Sequence, residues 1–287
     1  MKVTMVTVSF NQAAYLERAL QSVLTQSYSD IEYIVVDPGS TDGSREVIQR
    51  YRDRLAAVVL EPDTGPADGL NRGFSRASGE ILGYLNSDDV LLPDAVANAV
   101  RAFRQNPRAD VVYGHGYVID ENDVMLRRFH SRRFTLWRYA YDAADVMQQA
   151  TFVRMSAFAA AGGFNPDNRV TWDAELLIDL ASTGSRFVRV DEYWALFRLH
   201  KESISGSGGG ELDPRQAARE GRYASEIQRN RERLFEKAIG RRRRPSDRFV
   251  RACARLIGWA TDPAHVAIRL RDIAAGSAFL RRLGGSS

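Results

Sequence analysis

The chain has 287 residues, of which 44% are hydrophobic and 10% aromatic, a composition typical of a globular protein with a sizeable core. Its length favours one large domain, or one domain with an appendage. The single cysteine, Cys253, excludes an internal disulfide and is typical of a reducing compartment. No apolar run reaches the roughly 18 residues of a membrane-spanning helix, and residues 1–9 do not resemble a signal peptide. We therefore expect a cytoplasmic protein without a spanning helix.

Charge is distributed unevenly along the chain. Residues 1–240 contain 29 basic and 33 acidic residues, whereas residues 241–287 contain 11 arginines, no lysine and 3 acidic residues. A weakly acidic body with a basic tail indicates that the tail meets an anionic partner, either a membrane surface or a nucleic acid.

Strand and helix patterns alternate over the first 106 residues. Short apolar segments predict strands, and amphipathic segments that open at a capping residue or a proline predict helices. This alternation predicts βαβ units and a parallel sheet. The predicted strands cover residues 2–9, 31–37, 56–60 and 80–85, and the predicted helices cover residues 15–24, 40–54, 66–77 and 93–106.

The rest of the chain mixes strands with short helices and ends in a helical region. A segment rich in Ser and Gly over residues 203–210 is typical of a linker. We therefore predict one domain over residues 1–205 and a linker with a basic helical region over residues 206–287. The predicted strands cover residues 110–113, 117–119, 124–134, 148–153 and 186–198, and the predicted helices cover residues 156–161, 172–182, 213–241, 246–260 and 263–283.

Carboxylates follow two of the predicted strands at the point where each strand ends. Asp37 ends the second strand, and Asp88 and Asp89 follow the fourth, shortly before Pro93. In an open α/β sheet, ligands bind at the carboxyl ends of the strands. Adjacent carboxylates repel unless a cation lies beside them, and hard oxygen ligands suit Mg²⁺ or Mn²⁺. The alternative is that Asp88 and Asp89 only cap a helix that Pro93 opens.

Two common nucleotide-binding signatures are absent from the sequence. No Gly-x-Gly-x-x-Gly follows the first strand, and no Gly-x-x-x-x-Gly-Lys-Ser/Thr occurs. These absences argue against a dinucleotide-binding domain and against a P-loop enzyme. The carboxylates at strand ends instead favour binding of the base, ribose and metal-bound diphosphate of a sugar nucleotide.

Several segments, in this order and spacing, resemble family 2 glycosyltransferases of the GT-A fold. They are residues 8–12 (VSFNQ), 35–44 (VVDPGSTDGS), 71–81 (NRGFSRASGEI), 85–89 (LNSDD), 149–152 (QATF), 162–164 (GGF), 172–176 (WDAEL) and 197–200 (FRLH). The resemblance covers about residues 1 to 205. It implies a mixed, nucleotide-binding sheet flanked by helices, followed here by a helical C-terminal appendage.

The resemblance also implies roles for particular residues on the donor side. Ser9, Phe10 and Asn11 line the nucleotide base, Asp37 holds the base or the ribose, and Asp88 faces the ribose. These five residues form the implied site for a nucleoside diphosphate sugar.

For the reaction itself, the resemblance implies a metal ion and a general base. Asp89 ligates Mg²⁺ or Mn²⁺, and His200 falls where some relatives contact the metal or the diphosphate. Asp173 falls at the position of the general base, although it could instead be an N-cap of the following helix. We interpret Glu175 as a charge on the helix surface and only a second choice as base. Asn86 replaces a frequent first acid, so metal ligation depends on the two aspartates that follow it.

The implied activity is metal-dependent, inverting transfer of a sugar from a nucleoside diphosphate sugar to an acceptor hydroxyl. The acceptor is a carbohydrate or glycolipid of cell-surface polysaccharide or glycolipid synthesis. The alternatives are a non-catalytic nucleotide-sugar-binding or scaffold protein and, last, a nucleic-acid-binding protein, because the basic tail lacks a nucleic-acid motif.

The basic C-terminal region leaves two interpretations open. Phe249, Cys253, Leu256 and Ala260 share one helical face, with arginines mostly on another. Such helices can lie in a membrane interface, which would hold the protein at the inner face of the cell membrane. Alternatively, they pack their apolar faces on the domain.

Overall fold

The computed structural model describes residues 1–201, 203, 214–260 and 262. The strands are β1 (Val3–Val8), β2 (Ile31–Val36), β3 (Ala57–Val59), β4 (Ile81–Asn86), β5 (Val90–Leu91), β6 (Val111–Ile119), β7 (Met125–Phe129), β8 (Thr151–Arg154) and β9 (Phe187–Arg198). The helices are α1 (Ala13–Leu24), α2 (Ser44–Arg50), α3 (Pro66–Phe74), α4 (Ala95–Gln105), α5 (Leu136–Ala140), α6 (Met155–Ala160), α7 (Trp172–Ser182), α8 (Pro214–Ile239) and α9 (Asp247–Ala260).

All the strands belong to one mixed sheet, in the order β3-β2-β1-β4-β8-β6-β9-β5, with β7 paired to β6. The half built from β1 to β4 is parallel, whereas β8 runs antiparallel to both β4 and β6. Val8 lies between Val36 of β2 and Asn86 of β4. The three strands therefore end at the same level, and the residues that follow them meet at one edge of the sheet.

Two apolar layers cover the two faces of this sheet. Successive residues of a strand point to opposite faces, so Met5 joins the cluster around α1 and α4, and Val6 joins the cluster around α3, α6 and α7. Helix α3 approaches β1 closely because it carries Gly73, where an added Cβ would lie 2.5 Å from Val6 Cγ1. Burial on both faces explains why the central strands read as near-continuous apolar runs.

The elements around residues 86–119 differ from the sequence prediction. Pro93 does not open a helix: Val90 and Leu91 are buried and form β5 against β9, and α4 starts at Ala95 after Asp94. The two short strands predicted over residues 110–119 are one irregular strand, β6. Local periodicity missed both features because the partner strand, β9, lies far along the chain: Val90 pairs with Leu196, and Val111 pairs with Phe187.

The basic C-terminal helices pack on the domain. Helix α8 contacts both α5 and α7, and Phe235 of α8 and Ala254 of α9 are buried with Tyr141. In the part of the chain that the structure covers, no helix is long and apolar enough to cross a bilayer. The predicted helix over residues 263–283 and most of the predicted linker over 203–210 lie outside the described residues.

The close approach of α3 to β1 gives a test of the packing. We expect Gly73→Ala to lower the free energy of unfolding by about 1–3 kcal/mol, because its methyl group would overlap Val6 in a filled core. Denaturant unfolding measures the change. Gly221→Ala in α8, where an added Cβ meets nothing within 4 Å, is the matched control and should stabilise by up to about 1 kcal/mol. Equal stability of the two variants would contradict the packing.

Candidate active site

The loops after β1 and β2 present buried oxygen atoms at the edge of the sheet. Asp37 is fully buried, and its Oδ1 accepts hydrogen bonds from the backbone N of Gly39 (3.1 Å) and Ser40 (2.8 Å) and from Arg45 Nε (3.2 Å). Among the described residues, neither Asp37 Oδ2 nor Ser9 Oγ has a hydrogen-bond partner. Since buried polar atoms are nearly always satisfied, these two acceptors are available to a ligand.

Side-chain hydrogen bonds tie the same two loops together. Asn11 adopts a left-handed backbone conformation (φ 52°), its N–H donates to Ser40 Oγ (2.9 Å), and its Oδ1 accepts from Thr41 N (2.9 Å). Phe10, between Ser9 and Asn11, remains 59% exposed. An exposed ring on a fixed loop can stack on a planar base. The structure therefore brings together four of the five residues that the sequence assigned to the base and ribose.

Asp63, to which the sequence assigned no role, lies near Asp37. It follows β3, and its Oδ1 accepts a hydrogen bond from Gly65 N (3.0 Å). Burial raises the pKa of Asp63, and the charges of Asp68 and Asp37 raise it further.

Asp89 is held inside the protein by hydrogen bonds. Its side chain is buried, Oδ1 accepts from Arg198 N (2.9 Å), and Oδ2 accepts from Gln149 Nε2 (2.8 Å) and Asn86 Nδ2 (3.2 Å). Burial raises the pKa of Asp89 well above its usual value, and the charge of Asp88 adds to the rise. Neither aspartate caps α4, whose N-cap is Asp94.

Asp88, not Asp89, lies against His200. Asp88 Oδ2 is 3.0 Å from His200 Nε2, and the Asp88 side chain is 19% exposed whereas that of His200 is 3% exposed. Asp88 and His200 therefore form a polar pair whereas Asp89 is directed into the interior, and the assignment of the metal to Asp89 stays a prediction. Adjacent residues of the turn point to opposite sides, and the sequence does not reveal which side faces the cleft.

A buried arginine fixes the turn that carries Asp88. Arg198 Nε donates to Asp88 O (2.8 Å), Nη1 to Asp120 O (2.9 Å), and Nη2 to Asp123 Oδ1 (2.6 Å). The Tyr15 ring lies 4.9 Å from the Arg198 guanidinium and 4.7 Å from the His200 ring. The sequence analysis gave Arg198 and Gln149 no role, although both belong to the segments that carry the family resemblance.

A cavity of about 310 Å³ opens beside these groups. It extends from the loop after β1 to the end of β9, so it connects the base side of the site to the Asp88–His200 pair. Its size falls within the usual range for small-molecule sites. Its lining includes Asn11, Gln12, Tyr15, Asp42, His200 and Lys201.

Asp173 lines a second cavity, of about 170 Å³, with an aromatic wall. Burial raises the pKa of Asp173, and backbone amides at the start of α7 partly offset the rise. Thr171, not Asp173, is the N-cap of α7. The aromatic residues around this cavity are Tyr84, Phe129, Phe134 and Tyr139.

The turn of residues 148–150 joins the two parts of the site. Gln148 lines the Asp173 cavity and accepts a hydrogen bond from Asn86 Nδ2 (3.4 Å), while Gln149 donates to Asp89. Hydrogen bonds of residues 148 and 149 therefore connect the Asp173 cavity to the segment that carries Asp88 and Asp89.

Glu175 is not a surface charge, contrary to the interpretation of the sequence. Its side chain is 2% exposed and accepts hydrogen bonds from Arg233 Nη1 (2.7 Å) and Nη2 (2.6 Å), Lys237 Nζ (2.9 Å) and Asn168 Nδ2 (2.8 Å). Burial alone raises the pKa of Glu175, but these hydrogen bonds lower it to about 2. Glu175 is therefore an ion-paired anchor for α8.

The family model for glycosyl transferase family 2 matches residues 4–162, more than half of the chain. The protein belongs to glycosyltransferase family 2. It is 33% identical over 182 residues to an uncharacterized glycosyltransferase of Mycobacterium tuberculosis, covering 62% of this chain and 68% of that protein.

Two further relatives have partial matches to this family 2 chain. An uncharacterized glycosyltransferase of Nostoc is 36% identical over 126 residues, and the match spans 39% of that protein and 43% of this chain. The protein named teichuronic acid biosynthesis glycosyltransferase TuaG, of Bacillus subtilis, is 27% identical over 210 residues, 71% of this chain and 82% of that protein.

Solved structures confirm the fold of this family 2 protein. S. aureus TarS (residues 1–349) in complex with UDP-GlcNAc superposes with a TM-score of 0.61 at 17% identity, over 83% of this chain and 72% of that chain. The mannosyltransferase PcManGT from Pyrobaculum calidifontis, in complex with GDP-Man and Mn²⁺, gives a TM-score of 0.55 at 19% identity, over 97% of this chain and 80% of that chain. The mixed sheet with flanking helices is the expected GT-A fold.

Proposed function

We propose that the protein is a metal-dependent, inverting glycosyltransferase of the hexosyltransferase type. It transfers a sugar from a nucleoside diphosphate sugar to an acceptor hydroxyl of a cell-surface polysaccharide or glycolipid. The observation that carries the proposal is the meeting, at one sheet edge, of two unsatisfied acceptors, Asp37 Oδ2 and Ser9 Oγ, with the Asp88–His200 pair. The relatives support it: TuaG is named for teichuronic acid biosynthesis, and the structures of TarS and PcManGT contain sugar nucleotides.

On the donor side, Asp37 and Ser9 accept hydrogen bonds from the base or ribose, and Phe10 stacks on the base. Asp88 and His200 fit a metal ion because a carboxylate that is 19% exposed lies against an imidazole. No group of three or more His, Cys, Asp or Glu side chains suited to a metal occurs in the described part of the chain. The remaining ligands must then come from the donor diphosphate and water.

The mixed ligand pair favours Mn²⁺ over Mg²⁺. Mg²⁺ prefers oxygen ligands, whereas imidazole nitrogen is a common ligand of transition metals. When bound, the ion supplies charge neutralisation for the departing diphosphate. Lys201, which lines the same cavity, contributes a further positive charge to the diphosphate side.

On the acceptor side, Asp173 acts as the general base. It accepts the proton of the acceptor hydroxyl while that oxygen attacks the anomeric carbon from the face opposite the diphosphate, which inverts the configuration in a single displacement. Its raised pKa makes it a stronger base than an exposed aspartate. The aromatic wall excludes water and can pack on the face of a sugar ring.

The competing interpretation is a non-catalytic protein that binds a nucleotide sugar. It is disfavoured because the chain carries both the Asp88–His200 pair and, in a second cavity, a buried Asp173 with a raised pKa. Incubation of the protein with UDP-N-acetylglucosamine or GDP-mannose and Mn²⁺ tests the proposal. Slow, Mn²⁺-dependent hydrolysis of one donor supports an enzyme, whereas donor binding without any turnover, even with acceptor extracts, supports the competing interpretation.

The metal-binding pair gives the next prediction. We expect Asp88→Asn and His200→Ala to abolish the Mn²⁺-dependent part of donor binding, because each removes one of the two protein ligands. Titration calorimetry with and without Mn²⁺ measures it. Asp89→Asn is the matched control: it should lower thermal stability by weakening its buried hydrogen bonds, yet keep Mn²⁺-dependent binding in the folded fraction. If Asp89→Asn lost Mn²⁺-dependent binding while Asp88→Asn and His200→Ala kept it, Asp89 would be the metal ligand.

The general base gives a prediction with a pH signature. Asp173→Asn keeps the shape and should reduce kcat by about 10² or more, the scale of general-base removal, with donor affinity unchanged. In the unmodified protein the rate should rise with pH as Asp173 loses its proton. Because its pKa is raised, this limb should lie above the ordinary aspartate value of about 3.9. A variant with normal turnover would contradict the assignment.

We also propose that α9 binds the surface of an anionic membrane. Val250 and Ala254 face the domain, whereas Phe249 and Leu256 are 76% and 73% exposed. Two residues of the apolar face that the sequence indicated, Phe249 and Leu256, therefore point to solvent and do not pack on the domain. Arg242, 90% exposed, precedes the helix, and exposed Arg244 and Arg248 flank its start. Exposed apolar side chains of such a helix can insert among the acyl chains of a bilayer, while the arginines beside them contact acidic headgroups.

Co-sedimentation with vesicles tests this surface. We expect the full-length protein to pellet with phosphatidylcholine vesicles that contain phosphatidylglycerol, less so as salt rises, and hardly with pure phosphatidylcholine. The Phe249→Glu, Leu256→Glu double variant should lose binding. Leu126→Glu, which changes another apolar residue that is 52% exposed, is the control. Equal pelleting of both variants would overturn the proposal, and a dimer lost only in the double variant would assign the face to a second copy.

A further inference from the structure

Helix α8 supports both walls of the cavity that contains Asp173. It packs against α5, which carries Tyr139, and against α7, which carries Asp173. Tyr139 and Asp173 both line this cavity, and the negative charge of Asp173, after burial, raises the pKa of Tyr139. A displacement of α8 would therefore change the distance between these two walls.

The contact between α8 and α7 is centred on Glu175. Arg233 donates one hydrogen bond to each oxygen of this carboxylate, and Lys237 donates a third. A bidentate arginine–carboxylate pair fixes orientation as well as distance. The Glu175 side chain is 2% exposed, whereas those of Arg233 and Lys237 are 43% and 37% exposed, so the buried carboxylate depends on these partners for its hydrogen bonds.

Hydrogen bonds extend this contact to the loop that leads into α7. Asn168 Nδ2 donates to Glu175 Oε2 (2.8 Å), and Asn168 Oδ1 accepts from Asn230 Nδ2 of α8 (2.9 Å) and from Thr171 N (3.0 Å). Thr171 is the N-cap residue of α7. Hydrogen bonds therefore connect α8 to the start of α7 at two places, the first turn of α7 and the loop that precedes it.

We propose that Glu175 is a positioning residue for Asp173, and that α8 helps to form the acceptor site by holding Glu175. Residues two apart on a helix point about 200° away from each other, so Glu175 can face α8 while Asp173 faces the cavity. The Glu175–Arg233–Lys237 cluster sets the rotation and height of the first turn of α7, and with it the place of the Asp173 carboxylate. This inference depends on the proposed role of Asp173 as base.

The chain offers a matched control in Asp179. This second acid of α7 also pairs with Lys237, but it lies more than one turn beyond Asp173 and does not contact Arg233. If Glu175 only fastens α8 to the domain, Glu175→Gln and Asp179→Asn should act alike. If Glu175 positions the first turn of α7, only Glu175→Gln should affect the base.

The geometry is tested by hydrogen exchange on the full-length protein. We expect Glu175→Gln to speed exchange in the peptide over residues 168–178, and Asp179→Asn to leave the part before residue 176 unchanged. Arg233→Lys keeps the charge but loses the paired hydrogen bonds. Its exchange rate in this peptide should lie between those of Glu175→Gln and of the unmodified protein. Unchanged exchange in folded Glu175→Gln would overturn the proposal.

The link to the base is tested by a double-mutant cycle. With the donor that the unmodified protein hydrolyses, Glu175→Gln should lower kcat about 10-fold or more with donor KM unchanged, since small displacements of catalytic groups can cost up to about 10²-fold. In an Asp173→Asn background, Glu175→Gln should cause almost no further loss. Fully additive losses would overturn the positioning role. A normal rate for Asp173→Asn alone would instead show that Asp173 is not the general base, whatever the effect of Glu175→Gln.

Discussion

The buried guanidinium of Arg198 is the interaction on which the site depends. It comes from the end of β9 and reaches Asp88 O, Asp120 O and Asp123 Oδ1, while its own backbone N–H binds Asp89. A buried cation is costly unless its hydrogen bonds are satisfied. These partners belong to the Asp88 turn and to the hairpin before β7, whereas Arg198 itself ends β9. The cost of burying Arg198 is therefore offset only when these three segments are assembled together.

This constraint explains why the two aspartates of the turn have different environments. Asp89 accepts the Arg198 amide and the Gln149 amide, so it belongs to the interior. Asp88 is left facing His200, two residues beyond Arg198 on the same chain segment. The arrangement therefore separates a structural carboxylate from one that can change partners, although the two are adjacent in sequence.

Much of the donor half could be predicted from the sequence because its signals are local. The apolar segments of β1, β2 and β4 are bounded by turns, and Asp37 and Asp88 follow strands that end level with one another. What could not be predicted depends on partners distant in sequence. Hydrogen bonds from Arg198, more than a hundred residues away, decide the environment of Asp89, and α8, about sixty residues downstream, decides that Glu175 is buried. Side-chain periodicity carries no information about such partners.

The same reasoning changes how the basic C-terminal region is understood. Its composition indicates a free, strongly positive tail, but several of its cations neutralise acids of the domain or of the region itself. Arg251 and Arg255 pair with Asp142, Arg241 pairs with Asp247, and Arg233 of α8 pairs with Glu175. Among the described residues, the charge that remains for an outside partner is concentrated around Arg244 and Arg248, next to the exposed Phe249 and Leu256 of α9. A basic region can therefore serve two purposes at once: one set of arginines attaches it to the domain, and another set, on the outside, faces the surroundings.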